Sequence, residues 1–431
     1  MAEAQVSVDR FSELPPEVAH HIMAFLSMAD VTRVSTLSKR CRGLHLSNPT
    51  LNFDSFPSKS TLTFDKRLEL LDSLDRFLIQ RGNNKLKYLS IDWAPEYHHG
   101  ETEIESHCVL QKSRILGWIQ HAIYCNVEEL YVFFATLVPA LGDILLDDFI
   151  DFPFCVFVCE SLRYLTLDMK CTKLEAPSFC TSPISNLVSL CLRNVTIEDD
   201  EGFCKWVSYC CRFIKELGMK QVRGLENITI ESSSLESFSI QCPSYLHIDR
   251  LVISGDKLEE IDINWECDSR KRNNSLLNIS APNLMYLKWR GNMLNHQHIG
   301  EMSSLEQVEI YLGAANDVND LHSVCEQFLC SISSVQVLLL DKQTVEVSGF
   351  DREYWELEGL EFVSKLEEVT IELTTGSNGF ELASYMLEHA RKLKMMFVII
   401  TPDQSSLVPE IRMTNLTPHG RVVILERAAS S

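Results

Sequence analysis

Leu258-EE-Ile261-D-Ile263, Leu284-MY-Leu287-K-Trp289 and Leu305-EQ-Val308-E-Ile310 state one phrase three times in close succession. It is an aliphatic, two variable residues, an aliphatic, one variable residue and an aliphatic. Going toward the N-terminus, the phrase returns as Leu235-ES-Phe238-S-Ile240, Ile214-KE-Leu217-G-Met219, Leu187-VS-Leu190-C-Leu192 and Leu162-RY-Leu165-T-Leu167. Val127-EE-Leu130-Y-Val132 and Leu86-KY-Leu89-S-Ile91 precede these, and Val335-QV-Leu338-L-Leu340 and Leu366-EE-Val369-T-Ile371 follow Leu305. From Leu162 to Leu305 the successive starts lie 25, 27, 21, 23, 26 and 21 residues apart. Within each phrase the alternation has period two, so the aliphatics share one face of a short strand and the variable residues share the other.

A single unit of this kind cannot bury its aliphatic row, whereas stacked neighbours can. The interval is that of a leucine-rich repeat, which predicts a solenoid with a curved parallel sheet and an α/β chain. A second rhythm, Leu225-EN-Ile228-T-Ile230, Leu251-V-Ile253 and Leu276-Leu277-N-Ile279, predicts short strands on the opposite side of the solenoid. Residues 201–213 read as a helix, with Phe203, Trp206, Val207 and Cys210 at spacings of three and four, and residues 320–331 read the same way. After Leu366 the pattern runs strand, turn at Gly376–Gly379, amphipathic helix and strand, a terminal unit of altered form that closes the array. Arg421-VVIL-Glu426 is a candidate edge strand.

Ahead of the repeats stands DRFSELPPEVAHHIMAFLSMADVTRVSTLSKRCRGLHLSNPTLNFD, Asp9 to Asp54. Pro15 and Pro16 suit a first helical turn, where the missing N–H has no partner to lose. Val18, Ile22, Phe25 and Leu26 then form one apolar face. Asp30 is the expected N-cap of a second helix carrying Val31, Val34, Leu37 and Cys41. So short a segment cannot hide that much apolar surface by itself, so part of it is expected to meet a partner.

These residues resemble an F-box, whose pattern is met by Leu14-Pro15, Ile22, Phe25-Leu26, Val31, Val34 and Leu37-Ser38-Lys39-Arg40. Plant members carry aromatics after Lys-Arg, and here Cys41 and His45 stand there. The segment from Leu366 through Glu381-LASYMLEHARKL-Lys394 and the following Met-Val-Ile strand resembles the FBD module of plant F-box/leucine-rich-repeat proteins. The resemblance implies a small helical F-box (9–54), a helical connector (55–84), a leucine-rich-repeat solenoid (85–345), an FBD-like cap (346–400) and a tail (401–431). It further implies a non-catalytic substrate adaptor, docking on a Skp-type subunit and through it on the cullin of an SCF-type ubiquitin ligase. Leu14, Pro15, Val18, Ile22, Leu26, Val31, Val34 and Leu37 would make or support that contact. An interaction scaffold outside the ubiquitin system and a small-molecule-dependent receptor are the alternative readings.

The target surface is expected on the variable side of the sheet, at Tyr131, Phe133, Arg193, Lys220, Tyr286, Lys288, Arg290 and Tyr311. Tyr88, Asp92, Glu129, Tyr164 and Asp262 share that side. Aromatics and arginine are enriched in binding hot spots. A net charge of −21 over 431 residues argues against a nucleic-acid or anionic-membrane partner. There is no basic, apolar leader, and the most apolar long stretch, residues 131–160, contains Asp143, Asp147, Asp148 and Asp151, so a cytoplasmic or nuclear protein is expected. The fifteen cysteines include no Cys-x-x-Cys pair and read as buried small hydrophobes. His98, His99, His107 and Cys108, and likewise His296 and His298, read as loop residues without metal-ligand spacing. Ser269–Asn273 is a short basic run, read as a solvated loop with a nuclear-import signal as the alternative. Neither a phosphate loop nor a nucleophile elbow occurs, so no cofactor and no catalytic set is expected.

Overall fold

The structure of this chain, a computed structural model, describes residues 11, 13–53, 64–94, 104–134, 150–170, 172–177, 185–242, 248–265, 275–291, 296–300, 302–312, 332, 334–347, 361–373, 378–400 and 421–426. The expected helix at 320–331, the basic run at 269–273, His98, His99, the first half of the 376–379 turn and most of the 401–431 tail lie outside these residues, as do the side chains of His107, Cys108 and His296; Asn378 and Gly379, read as turn, begin a helix. The chain forms two compact units, Met1–Glu198 and Asp199–Ser431.

The first unit opens with three short helices, α1 (Pro16–Met23), α2 (Met28–Ser35) and α3 (Lys39–Ser47). Pro16 sits in the first turn of α1. Ser27, not Asp30, caps α2, its hydroxyl accepting from the Asp30 N–H at 3.2 Å. Ser38 caps α3 by accepting from the Cys41 N–H at 3.0 Å. This second cap ends α2 early, so Leu37 lies in the break between helices and Cys41 belongs to α3, not to the helix carrying Val31. Serine competes for backbone N–H groups in this way whenever it precedes a helical run.

There follow β1 (Thr50–Asn52), α4 (Phe64–Arg81), β2 (Tyr88–Trp93), α5 (Ile104–Tyr124), β3 (Glu129–Phe134), β4 (Ile150–Asp151), β5 (Tyr164–Met169), β6 (Thr172–Leu174), β7 (Ser189–Arg193) and β8 (Thr196–Ile197). The main sheet of this unit is parallel, in the order β1-β2-β3-β5-β7, and β4-β6-β8 form a second, shorter sheet. Strand β1 begins the array within the segment read as F-box. Asn48-PT-Leu51-N-Phe53 is the repeat phrase with asparagine in its leading position, and all three marked residues are buried.

The second unit begins with α6 (Asp200–Lys205), capped by the Asp199 carboxylate on the Gly202 N–H at 2.9 Å, and continues as a π-helical turn over Trp206–Cys210. Phe203, Trp206, Val207 and Cys210 are buried, as their spacing required. The strands are β9 (Glu216–Lys220), β10 (Asn227–Glu231), β11 (Ser237–Gln241), β12 (Arg250–Ser254), β13 (Glu260–Trp265), β14 (Leu276–Ser280), β15 (Tyr286–Gly291), β16 (His296–Ile299), β17 (Gln307–Leu312) and β18 (Val337–Leu340). Helix α7 (Lys342–Val347), β19 (Glu368–Glu372), α8 (Asn378–His389), β20 (Met395–Ile400) and β21 (Arg421–Glu426) complete it. One parallel sheet runs β9-β11-β13-β15-β17-β18-β19-β20-β21, and the second rhythm builds another, β10-β12-β14-β16. His296 and His298 therefore lie in a strand, β16, which pairs with β14, and the backbone of His107 and Cys108 belongs to α5, so none of these four is in a loop.

A backbone ladder holds the repeats in step. From Leu235 onward the residue after the leading aliphatic donates its N–H to the equivalent carbonyl one repeat back. Glu236 donates to Lys215, Glu259 to Glu236, Met285 to Glu259 and Glu306 to Met285, at 2.8 to 2.9 Å. The ladder continues through Gln336, Glu367 and Lys394 to Arg421. It thereby identifies Leu393-KM-Met396-F-Val398 as a further copy of the phrase, in the FBD-like segment. The leading aliphatics Leu86, Leu162, Leu187, Leu235, Leu258, Leu284, Leu305 and Leu366 are almost wholly buried. Each fully buried side chain of this size contributes roughly 1.5–3 kcal/mol.

Candidate functional site: an open helical face and a polar sheet face

Ala19, Met23, Val31 and Leu44 form the core of the three N-terminal helices, with Phe11, Leu14 and Val34 partly packed against it. Polar ties hold this bundle shut. Arg40 donates to the Leu14 carbonyl at 2.7 Å. His20 Nε2 contacts both the Leu44 carbonyl and Ser47 Oγ at 3.1 Å, and the carbonyl requires the proton to sit on Nε2.

The other side of α1 is open. Val18, Ile22 and Leu26 are 37 to 44% exposed, Phe25 is 78% exposed, and Pro15 precedes them on the surface. Leu37, in the α2–α3 break, is 76% exposed. Of the residues singled out from sequence, Val18, Ile22, Leu26, Leu37 and Pro15 thus face outward, while Val31 lies wholly in the core. Leu14 and Val34 sit half-buried beneath the surface. The helix is amphipathic twice over, with one stripe spent on its own core and a second left to solvent.

Cys41 and His45 are both buried. The His45 ring stacks on Phe77 of α4, centroids 4.6 Å apart and planes 21° from parallel, so it acts as an aromatic. Burial, with the nearby Arg81 charge, pushes its pKa down to about 4. Arg81 itself has no counterpart among the residues singled out from sequence. It is almost fully buried and donates to four carbonyls, Leu46 and Asn48 at the end of α3, and Asn84 and Lys85 beyond α4, at 2.5 to 3.2 Å. It ties the helical bundle to the start of the repeats.

On the main sheet of the second unit, strand register sorts the outward residues into rows. Asp262, Lys288 and Glu309 are register neighbours across β13, β15 and β17, and Asn264, Arg290 and Tyr311 form the next row. Lys288 pairs with Glu309 at 3.2 Å, Tyr311 donates its hydroxyl to Glu309 at 3.0 Å, and the Arg290 guanidinium lies 4.7 Å from the Tyr311 ring centre. Tyr286 completes the group. Burial, then the Glu309 charge, pushes the Tyr311 hydroxyl up to about 12 and raises Tyr286 further. Burial raises Asp262. For Glu309 burial acts upward, but hydrogen bonds from Lys288, Tyr311 and Tyr286 outweigh it and the net direction is down. Four of the residues named from sequence, Tyr286, Lys288, Arg290 and Tyr311, therefore meet in one cluster. Glu309 at its centre is not among those named, although alternation within Leu305–Ile310 places it outward.

Lys220 ends β9 and is exposed, beside Gln241 and two strands short of that cluster's first member, so it does not join it. In the first unit Tyr88 and Tyr131 pack at 5.4 Å, and Phe133, 42% exposed, stands between Asp92 and Asp168 in register. Arg193 is exposed opposite Asp168, whose carboxylate accepts from Asn194 at 2.7 Å. None of the cysteines whose side chains are described is in a disulfide. Burial pushes Cys204 up to about 11, the opposite of what a nucleophile needs.

Residues 11–44 match the F-box domain. The likeness extends well past them. An F-box/FBD/LRR-repeat protein of Arabidopsis thaliana is 24% identical over 80% of this chain and 68% of its own length. An FBD-associated F-box protein of the same organism is 24% identical over 91% of this chain and 77% of its own. An F-box/LRR-repeat protein, again from Arabidopsis thaliana, is 24% identical over 80% of this chain and 61% of its own. The chain carries an N-terminal F-box, followed by a mostly parallel α/β array, and is similar along most of its length to F-box/FBD/LRR-repeat proteins. Such likeness supports a substrate-adaptor role in general terms. Among the described residues, no helix is long and apolar enough to cross a membrane.

Proposed function

We propose that this chain is the substrate-recognition adaptor of an SCF-type cullin-RING ubiquitin ligase. The F-box docks on a Skp-type subunit, which joins it to the cullin, and the outward face of the sheet holds a target protein. The chain works without a reactive group of its own. It raises the rate of ubiquitin transfer by holding the target beside the charged partner enzyme, converting an encounter between separate molecules into a local one.

The observation that carries this reading is the exposed apolar stripe that Val18 and Ile22 begin on α1, whose opposite side is already packed, and that Phe25 and Leu26 continue in the turn after it. An apolar patch kept open on a closed domain is the mark of a protein partner. Pro15 and Leu37 extend the apolar surface, and Leu14, Val31 and Val34 support it from beneath. On the sheet, Tyr286, Lys288, Arg290 and Tyr311 offer charge and aromatic surface for the target, with Tyr131 and Phe133 a second aromatic area in the first unit. Arg193 and Lys220 add exposed cations.

The test is co-purification of the full chain with a Skp-type subunit. Ile22→Asp with Phe25→Asp is expected to abolish capture while leaving the chain folded. Undiminished capture would remove the docking surface. Ubiquitin transfer by the reconstituted complex then separates a ligase adaptor from a scaffold that works outside ubiquitin chemistry.

A further inference from the structure

Toward the C-terminal ends of five neighbouring strands, one row of residues stands in register: Lys220 of β9, Gln241 of β11, Asn264 of β13, Arg290 of β15 and Tyr311 of β17. The residue before each is buried, so all five face outward. Every member is a hydrogen-bond donor and none is a carboxylate. In a chain of net charge −21 this is a local reversal of sign. The outward carboxylates of these strands stand in the other two rows, Glu216 and Glu260 in one, Asp262 and Glu309 in the next. Lys220 and Arg290 are exposed, and Gln241 and Asn264 are half-buried. Among the described residues none of these four side chains makes a hydrogen bond or an ion pair. The Arg290 guanidinium is held over the Tyr311 ring, 4.7 Å from its centre, with its N–H groups unspent.

We propose that this row binds an acidic, extended segment of the target, laid across the strands, with carboxylates on Lys220 and Arg290 and peptide groups on Gln241 and Asn264. The inference rests on the reading that the outward face holds the target, and it names the chemistry of that target. Charge complementarity selects an acidic segment, and the strand spacing selects its pattern. Lys220 and Arg290 lie three strand steps apart, roughly 14 Å at ~4.8 Å each. An extended chain advances ~3.4 Å per residue, so carboxylates four residues apart match the two cations. Residues so spaced on an extended chain also point to the same side. Between the cations, the carboxamides of Gln241 and Asn264 each offer a donor and an acceptor, the pair that a peptide group needs. Asp262, in the next row beside Asn264, disfavours a further carboxylate midway. Cations set singly suit single charges, whereas a phosphate carries about −1.5 to −2 and calls for several cations around one point.

Fluorescence anisotropy of the full chain with labelled, threonine-built nonapeptides tests it. The first peptide carries glutamates at its third and seventh positions, the second carries lysines there, and the third carries one phosphoserine, which matches the first in net charge. The wild type is expected to bind the first at least about tenfold more tightly than either of the others, with affinity falling as salt is raised. Lys220→Glu with Arg290→Glu should lose the first peptide and gain the second, with an unchanged far-ultraviolet spectrum. Equal binding of the first two peptides, tighter binding of the phosphopeptide, or a double variant of unaltered preference would overturn the proposal. Capture of a Skp-type subunit should be the same for the double variant and the wild type, since the F-box lies in the first unit and the row in the second. A failed row and a failed adaptor therefore give different results.

Discussion

His45 and Arg81 show how single side chains set the junction between helices and repeats. The His45 ring is buried, neutral and stacked on Phe77, and its Nε2 has no hydrogen-bond partner among the described residues. With a folded pKa near 4 and an ordinary unfolded value of 6.5, the unfolded chain takes up a proton between those values and the folded chain does not. Stability is therefore full above pH 6.5 and falls as pH is lowered toward 4. His45→Phe keeps the stacking, removes the orphaned nitrogen and should raise stability by about 1 kcal/mol at neutral pH. It should also flatten this part of the pH profile, as urea unfolding at several pH values would show. Arg81→Met deletes bonds to four carbonyls in a buried place. A loss of about 2–4 kcal/mol is expected in denaturant melts, since the abandoned carbonyls lose a charged donor. Histidine in an aromatic position can be read from the pattern, but Arg81 cannot, because nothing in its local sequence marks a capping arginine.

Among the elements, α1 divides its residues between stability and recognition. Met23→Ala empties the F-box core and should cost about 2–4 kcal/mol by thermal unfolding. Ile22→Asp and Phe25→Asp, on the open side, should by contrast each change stability by under ~0.5 kcal/mol. Strands β15 and β17 carry a coupled charge pair. Lys288→Glu alone opposes two carboxylates beside the raised Asp262, whereas Lys288→Glu with Glu309→Lys restores opposite signs. The double variant is expected to recover most of the loss, with a coupling of about 0.5–1 kcal/mol in a double-mutant cycle. A cycle with no coupling would mean that Lys288 and Glu309 are held by their strands and not by each other. Helix ends are the least legible elements. Both Ser27 and Asp30 suit the cap of α2, and the choice rests on which one reaches the free N–H.

Over the chain as a whole, the excess of carboxylates is the dominant long-range term. A net charge of −21 repels itself in the compact state, so salt should stabilise the chain. Raising ionic strength from ~0.01 M to ~0.15 M shortens the Debye length from ~30 Å to ~8 Å, and Tm is expected to rise over that range in scanning calorimetry. An unchanged or falling Tm would show that the local ion pairs along the strand starts, such as Lys85–Glu128 and Lys215–Glu236, outweigh the net repulsion.

The order of residues was enough to dictate the repeat, because period-two aliphatics recurring every 21 to 27 residues have one way to become buried, and enough to mark the F-box, because several spaced positions agree. It also sorted the inward from the outward residues of each strand, which is why Tyr286, Lys288, Arg290 and Tyr311 were legible. That these four meet around Glu309 was settled by the folded chain, since strand register is set by the backbone ladder between repeats that are far apart in the sequence. Folding likewise brought out β1, where Asn48 replaces the leading aliphatic, and it separated Val31 from Leu37. Both are apolar at helical spacing, but α2 ends at Ser35, between them, and leaves one in the core and the other in water.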